Sequence, residues 1–249
     1  AKRGPDHQCR AGAAGRPHRA AVPAPRPRKT VASTVGKLAR KQSVAAPELD
    51  RLSQIYFVAA ELFCKNGFDA TSMDAIADQV GVTKAAIYHF ISGGKKDLLY
   101  AIISYGMDTL DRAVIEPAKA IKDAEQRLRS IITNHVELIV KGSTSEGYNP
   151  VTVVVDEVAG LSPAHRRKID QRKRAYVDLI RQTLEELKGQ GKLKTVDVTV
   201  IAFNLLGMIM WIARWYRPDG KLSSAQVAQE TCKMVFDGIL RPLSRLSRK

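Results

Sequence analysis

The sequence predicts an all-α protein of about nine helices, and three observations carry that prediction. No stretch of the 249 residues alternates apolar and polar side chains as a half-buried strand must. Apolar residues recur instead three and four apart, in runs punctuated by capping residues, glycines and prolines. Between Thr71 and Leu99 the chain reads TSMDAIADQVGVTKAAIYHFISGGKKDLL, two short helices hinged at Gly81 ahead of a third helix start. That is the layout of a helix-turn-helix, a DNA-reading motif.

The elements follow in order. Residues 1–47 hold eleven Lys and Arg against a single acid, Asp6, so most of the formal charge of +15 lies there. The segment is rich in Ala, Pro, Gly and Arg with few large apolar side chains, so burial does not offset the entropy of ordering it. We expect a disordered basic arm, which either tracks DNA phosphates or is a passive extension. No apolar run of secretory-signal type follows its early charges, and a cytoplasmic location is expected. Cys9, Cys64 and Cys232 are scattered without metal-ligand or disulfide spacing, which fits a reducing compartment. Cys64 is expected as a small core hydrophobe of the first folded helix.

A head spanning 48–110 comes next. Thr71 with Asp74 three residues on has the spacing of a helix cap, and Met73, Ile76, Ala77 and Val80 form that helix's inner face. Gly81 takes the turn, Val82 packs beneath it, and Thr83 caps the second helix. Ile87 and one of Phe90 or Ile91 point to the core. Lys84, Ala85, Ala86, Tyr88 and His89 remain outside, and small residues there suit a helix entering a major groove about 12 Å wide.

The body is expected over 111–242, with a basic tail at 243–249. Lys95 opens a helix through Leu98, Leu99, Ile102, Ile103, Met107, Leu110 and Val114 that Pro117 should stop. A helix from Lys119 to Val140 follows, with Ile121, Leu128, Ile131, Ile132, Val136 and Ile139 as its stripe. Residues 142–150 read as a loop and 151–158 as a short apolar helix. Ser162-Pro163 starts a long charged helix that Gly189 and Gly191 end. Residues 198–211 are apolar nearly all round, which predicts a helix buried on every side. A membrane span is disfavoured, because Asp197, Thr199, Asn204 and Arg214 flank or interrupt a run shorter than about 20 residues. After a turn at Arg217-Pro218-Asp219-Gly220, a last helix runs from Ser223 to Leu240. Its stripe is Val227, Met234 and Ile239, with Ala228, Thr231, Val235 and Gly238 beside it.

Thr71, Ile76-Ala77, Gly81-Val82-Thr83, Tyr88-His89, Lys95 and Leu98, preceded by Ala59-Ala60, Phe63 and Gly67-Phe68, resemble the tetracycline-repressor (TetR) family of transcriptional regulators over roughly residues 50–110. One departure is a longer loop, Ser92-Gly93-Gly94, before the lysine, which leaves open whether Phe90 or Ile91 fills the family's core aromatic position. The resemblance implies phosphate contacts for Thr71, Tyr88, His89 and Lys95, and the full DNA-facing set expected is Thr71, Ser72, Thr83, Lys84, Ala85, Ala86, Tyr88, His89 and Lys95. It also implies a homodimer built by the last two long helices, presenting two recognition helices to a palindromic double-stranded operator, and a small-molecule effector held in the body.

The end of the chain, WIARWYRPDGKLSSAQVAQ, is similar to branches that answer to acyl-CoA thioesters. Phe203, Met210, Trp211, Arg214 and Trp215 are therefore the expected effector residues, with Arg214, Arg217 or the Arg166–Lys173 face meeting a CoA phosphate. By its own sequence, the basic stretch from Arg166 through Arg174 is most simply a solvated helix face, and contact with an anionic ligand is the alternative. No metal-ligand cluster, phosphate loop or nucleophile motif is present among the sequence patterns, and the adjacent carboxylates Asp156 and Glu157 point in different directions on a helix. No enzyme activity, metal or cofactor is expected. The reading is a ligand-responsive repressor; a constitutive DNA-architectural protein is the alternative, and an all-α ligand carrier or enzyme with a vestigial head is a weaker one.

Overall fold

A computed structural model describes residues 48–143, 152 and 158–241. The expected arm (1–47), residues 144–150 of the loop, the apolar stretch around Asp156-Glu157 and the basic tail (243–249) lie outside the described residues. Everything described belongs to one compact unit, and it is helical throughout apart from an isolated bridge between Leu193 and Leu240.

The head comprises α1 (Glu48–Asn66), α2 (Met73–Val80) and α3 (Lys84–Phe90). Ile55, Ala59, Ala60 and Phe63 of α1 are buried against Met73 and Ile76 of α2 and Ile87 of α3. The cap of α2 falls one residue later than expected: the Ser72 hydroxyl, not that of Thr71, accepts from Ala75 N–H. Thr71 is turned inward. Gly81 sits at φ 75°, a left-handed conformation that disfavours a side chain, and its N–H reaches the carbonyls of Ala77 and Asp78 to close α2. Thr83 caps α3 by accepting from Ala86 N–H. Ile91 is buried and Phe90 only half-buried, so Ile91 fills the core position beyond the recognition helix.

From the head, α4 (Lys95–Leu110) runs into the body and does not stop at Pro117. A π-turn over Asp111–Ile115 carries it into α5 (Glu116–Lys119), where the proline occupies the first turn and its missing N–H costs little. The next helix, α6 (Ala124–Lys141), starts later than expected because Asp123 caps it by accepting from Gln126 N–H. It is the hub of the body, packed on α7 (Pro163–Gly189), α8 (Val198–Trp215), α9 (Ser224–Ile239) and the π-turn. Arg172 of α7 bridges Asp108 and Asp111, pinning α7 to the point where α4 becomes the π-turn. Cys232 is buried and Cys64 only partly so.

The expectation of a helix buried on all sides fails for α8. Its Ile201, Leu205, Ile209 and Ile212 are buried, whereas Val200, Phe203, Trp211 and Trp215 are 57, 58, 62 and 45% exposed. This is the one described helix long and apolar enough to cross a membrane, but seven of its eighteen residues are buried in the protomer's core. The stripe expected for α9 is corrected too: Val227, Ala228, Thr231, Cys232, Val235 and Phe236 face inward, and Met234 is 59% exposed. Apolar composition alone does not distinguish a side chain buried within one protomer from one left for a partner.

Head and body meet at the turn before α7. The rings of Tyr100 (α4) and His165 (α7) stack with centroids 3.8 Å apart, and His165 Nδ1 lies 3.6 Å from an Asp97 carboxylate oxygen. A Cβ on Gly160 would come within 2.8 Å of Leu99 and 2.9 Å of the Phe68 ring, both core residues of the head. Gly160→Ala should therefore push the turn away from the head and lower unfolding stability by about 1–3 kcal/mol, read from denaturant midpoints. Unchanged stability would show that the joint yields freely.

Candidate nucleic-acid interface and effector cavity

The outward face of the head gathers most of the residues expected to meet DNA. Ala85 and His89 of α3 are exposed, Tyr88 is 37% exposed, and Ala86 is half-buried. Lys84 pairs with Asp74 of α2 at 2.9 Å, with both side chains largely in water, so the pair is weak and exchangeable. The Asp74 carboxylate raises the Lys84 pKa and keeps the ammonium charged. Ser72 and Thr83, both caps, place the amino ends of α2 and α3 at this surface.

Thr71 and Lys95 are not placed as phosphate ligands. The Thr71 side chain is buried, and its single O–H proton is shared between the carbonyls of Gly67 at 2.9 Å and Leu62 at 3.2 Å. Lys95 Nζ donates to the carbonyls of Phe68, Asp69 and Thr71 at 2.7, 3.0 and 2.9 Å and lies 4.6 Å from the Phe68 ring centre. An ammonium has three protons, and all three are committed. Both residues build the α1–α2 connection from which α2 starts.

In the body, a cavity of about 530 Å³ opens between α1, α4, α6, α7 and α8. Phe57 contributes from the head's own α1; Tyr105, Met107 and Leu110 come from α4, Leu138, Ile139 and Lys141 from α6, Lys173 and Val177 from α7, and Leu206 from α8. Its size is that of a small-molecule site and its walls are mainly apolar. Two of the expected effector residues, Phe203 and Met210, line it. Trp211, Arg214 and Trp215 do not. Positions 203, 206 and 210 follow one face of α8, whereas 211, 214 and 215 fall on the adjoining exposed face, where Arg214 leans over the Trp211 ring at 5.8 Å.

Across the cavity, His135 of α6 and Tyr176 of α7 are buried and joined by a hydrogen bond, hydroxyl oxygen to Nδ1, of 3.0 Å. Burial lowers the His135 pKa to about 4 and raises that of Tyr176, so both rings are neutral at physiological pH. Sequence reasoning missed this pair. The available signal was a histidine set at helical spacing in the stripe Leu128, Ile131, Ile132, Ile139, but nothing in the spacing names its partner 41 residues on. Of the expected Arg166–Lys173 face, Arg166, Arg167 and Lys168 are exposed, Arg172 is the clamp on Asp108 and Asp111, and Lys173 lines the cavity.

Comparison with known proteins agrees with both halves. Residues 55–102 match the family model for bacterial regulatory proteins of the tetR family, and residues 122–239 match the tetracyclin repressor-like C-terminal domain. The crystal structure of AibR in complex with isovaleryl coenzyme A and operator DNA is similar at 36% identity, covering 75% of this chain and 98% of AibR, with a TM-score of 0.64. The transcriptional repressor KstR2 of Rhodococcus jostii is 26% identical over 77% of this chain and 92% of its own length. The transcriptional activator FasR of Mycolicibacterium smegmatis is 25% identical over 80% and 88%.

Proposed function

The chain belongs to the TetR family of DNA-binding transcriptional regulators, and we propose that it is a non-enzymatic cytoplasmic repressor whose cavity takes up an acyl-CoA thioester and so releases a palindromic operator. The carrying observation is the cavity's position: its walls include α1 of the head and α4, the helix that joins head to body. A ligand wedged there acts on the very helices that aim the recognition helix. Ligand binding shifts the heads only in so far as the two arrangements bind it unequally. Lys141 and Lys173 supply the positive charge that CoA phosphates require, and the apolar walls suit a short acyl group. Relatives include an activator as well as a repressor, so the direction of control belongs to the proposal.

Isovaleryl-CoA should raise the melting temperature of the full chain, and Val177→Trp, which fills the cavity from α7, should weaken its binding at least about tenfold. If no acyl-CoA shifts the melting temperature while a cationic or aromatic drug does, the acyl-CoA reading is replaced by a multidrug one.

On the DNA side, the proposed contacts are Ser72, Thr83, Lys84, Ala85, Ala86, Tyr88 and His89. Lys84→Ala should weaken operator and random duplex alike and reduce the slope of log affinity against log salt by about 0.9, the signature of one lost phosphate contact. Substituting Ala85, whose methyl faces outward from the first turn of α3, should change the preferred sequence instead. Titrations on matched and mismatched duplexes check this; a specificity change with Lys84→Ala would reverse the two assignments.

A further inference from the structure

The cavity is apolar along Met107, Leu110, Ile139, Val177 and Leu206, yet it carries a buried polar pair that the head–body architecture does not use. A neutral imidazole and a phenol hold two N–H or O–H protons between them, and their mutual hydrogen bond consumes one. Whichever tautomer His135 adopts, one donor is left over: the Tyr176 hydroxyl if Nδ1–H donates to it, or Nε2–H if the hydroxyl donates to Nδ1. No second hydrogen bond to either ring is present among the described residues. Both rings line the cavity, so the spare donor opens onto it and is placed for an acceptor that enters from outside.

We infer that the His135–Tyr176 pair receives the carbonyl oxygen of the ligand and makes the cavity selective for acyl thioesters over isosteric molecules that lack that oxygen. This rests on the acyl-CoA reading above and specifies the atom it turns on. Because burial keeps both rings uncharged, the pair offers a hydrogen bond and no counter-charge, which matches a neutral carbonyl. His135 stands on α6 and Tyr176 on α7, so one acceptor placed between them also ties together two of the helices that enclose the cavity.

The test uses the full chain with two probes: isovaleryl-CoA and isopentyl-CoA, the thioether in which the carbonyl is replaced by a methylene. By calorimetry the thioester should bind roughly tenfold more tightly than the thioether. In the double variant His135→Phe/Tyr176→Phe, which removes the spare donor whichever ring holds it, the ratio should fall to about one, chiefly through loss of thioester affinity. The wild-type comparison needs no substitution, so it stands even where a variant folds poorly. Equal binding of the two probes by the wild type, or a preference that survives in the double variant, overturns the carbonyl assignment while leaving the cavity reading in place. If neither probe binds, the cavity reading fails and this inference falls with it.

Discussion

Trp211→Asp should convert the protein to a monomer and lower operator affinity by at least about a hundredfold. Trp211 is 62% exposed in the protomer, and Val200, Phe203 and Trp215 on α8 and Met234 on α9 are exposed as well. Large apolar side chains exposed along a helix in this way are costly in water and mark an interface, which in this family the last two long helices supply to a second copy. Two tethered heads bind a palindrome far more tightly than one, because the second half-site is met intramolecularly; the gain is typically of the order of 10²–10⁴. A carboxylate in the middle of the face is desolvated on association, a cost that pairing with the neighbouring Arg214 offsets only in part. Because the residue packs on little within its own protomer, the monomer should remain folded. Sedimentation and operator titration read the two effects together. A Trp211→Asp dimer with undiminished operator affinity would place the dimer interface elsewhere.

Lys95→Met should abolish binding to every duplex by loosening the head. The ammonium joins the carbonyls of Phe68, Asp69 and Thr71 at the end of the α1–α2 connection. Thr71 ties the same connection back to Leu62 and Gly67. Hydrogen bonds to a charged donor contribute about 1.5–3 kcal/mol each and are not additive, so a loss of about 3 kcal/mol is expected for the set. That is a large part of the stability of a small domain. A phosphate ligand would behave differently: its removal would lower affinity modestly, flatten the salt dependence and leave the melting temperature unchanged. Thermal unfolding beside operator titration separates the two roles, and Thr71→Val should show the same pattern more weakly.

The head was legible because its signals are local. Gly81 at a left-handed turn, Thr83 as a cap and the outward Ala85, Tyr88 and His89 are set by residues within a few positions of one another. The placements that failed depend on distant chain. Thr71 and Lys95 resemble phosphate ligands by position in the motif, and only their contacts across 4 to 27 residues show them turned inward. Pro117 reads as a stop, but the π-turn before it lets the helix continue. A helix such as α8, divided between its own core and an outer face, has nearly the composition of one wholly enclosed, so its apolar residues could not be sorted by pattern. The cavity was the least legible feature: its walls come from α1, α4, α6, α7 and α8, and only Phe203, Met210 and, at the end of the Arg166–Lys173 face, Lys173 were anticipated.

The cavity is held to be where ligand and operator oppose each other, and linkage requires that opposition to be mutual. The most direct measurement is therefore the affinity of the full-length dimer for isovaleryl-CoA, with and without saturating operator, beside operator affinity with and without saturating isovaleryl-CoA. Each should be weakened by the other, by the same factor, in the range of about 5- to 150-fold typical of such coupling. Isovaleryl-CoA that binds equally well to the free and the operator-bound protein would contradict a repressor released through this cavity.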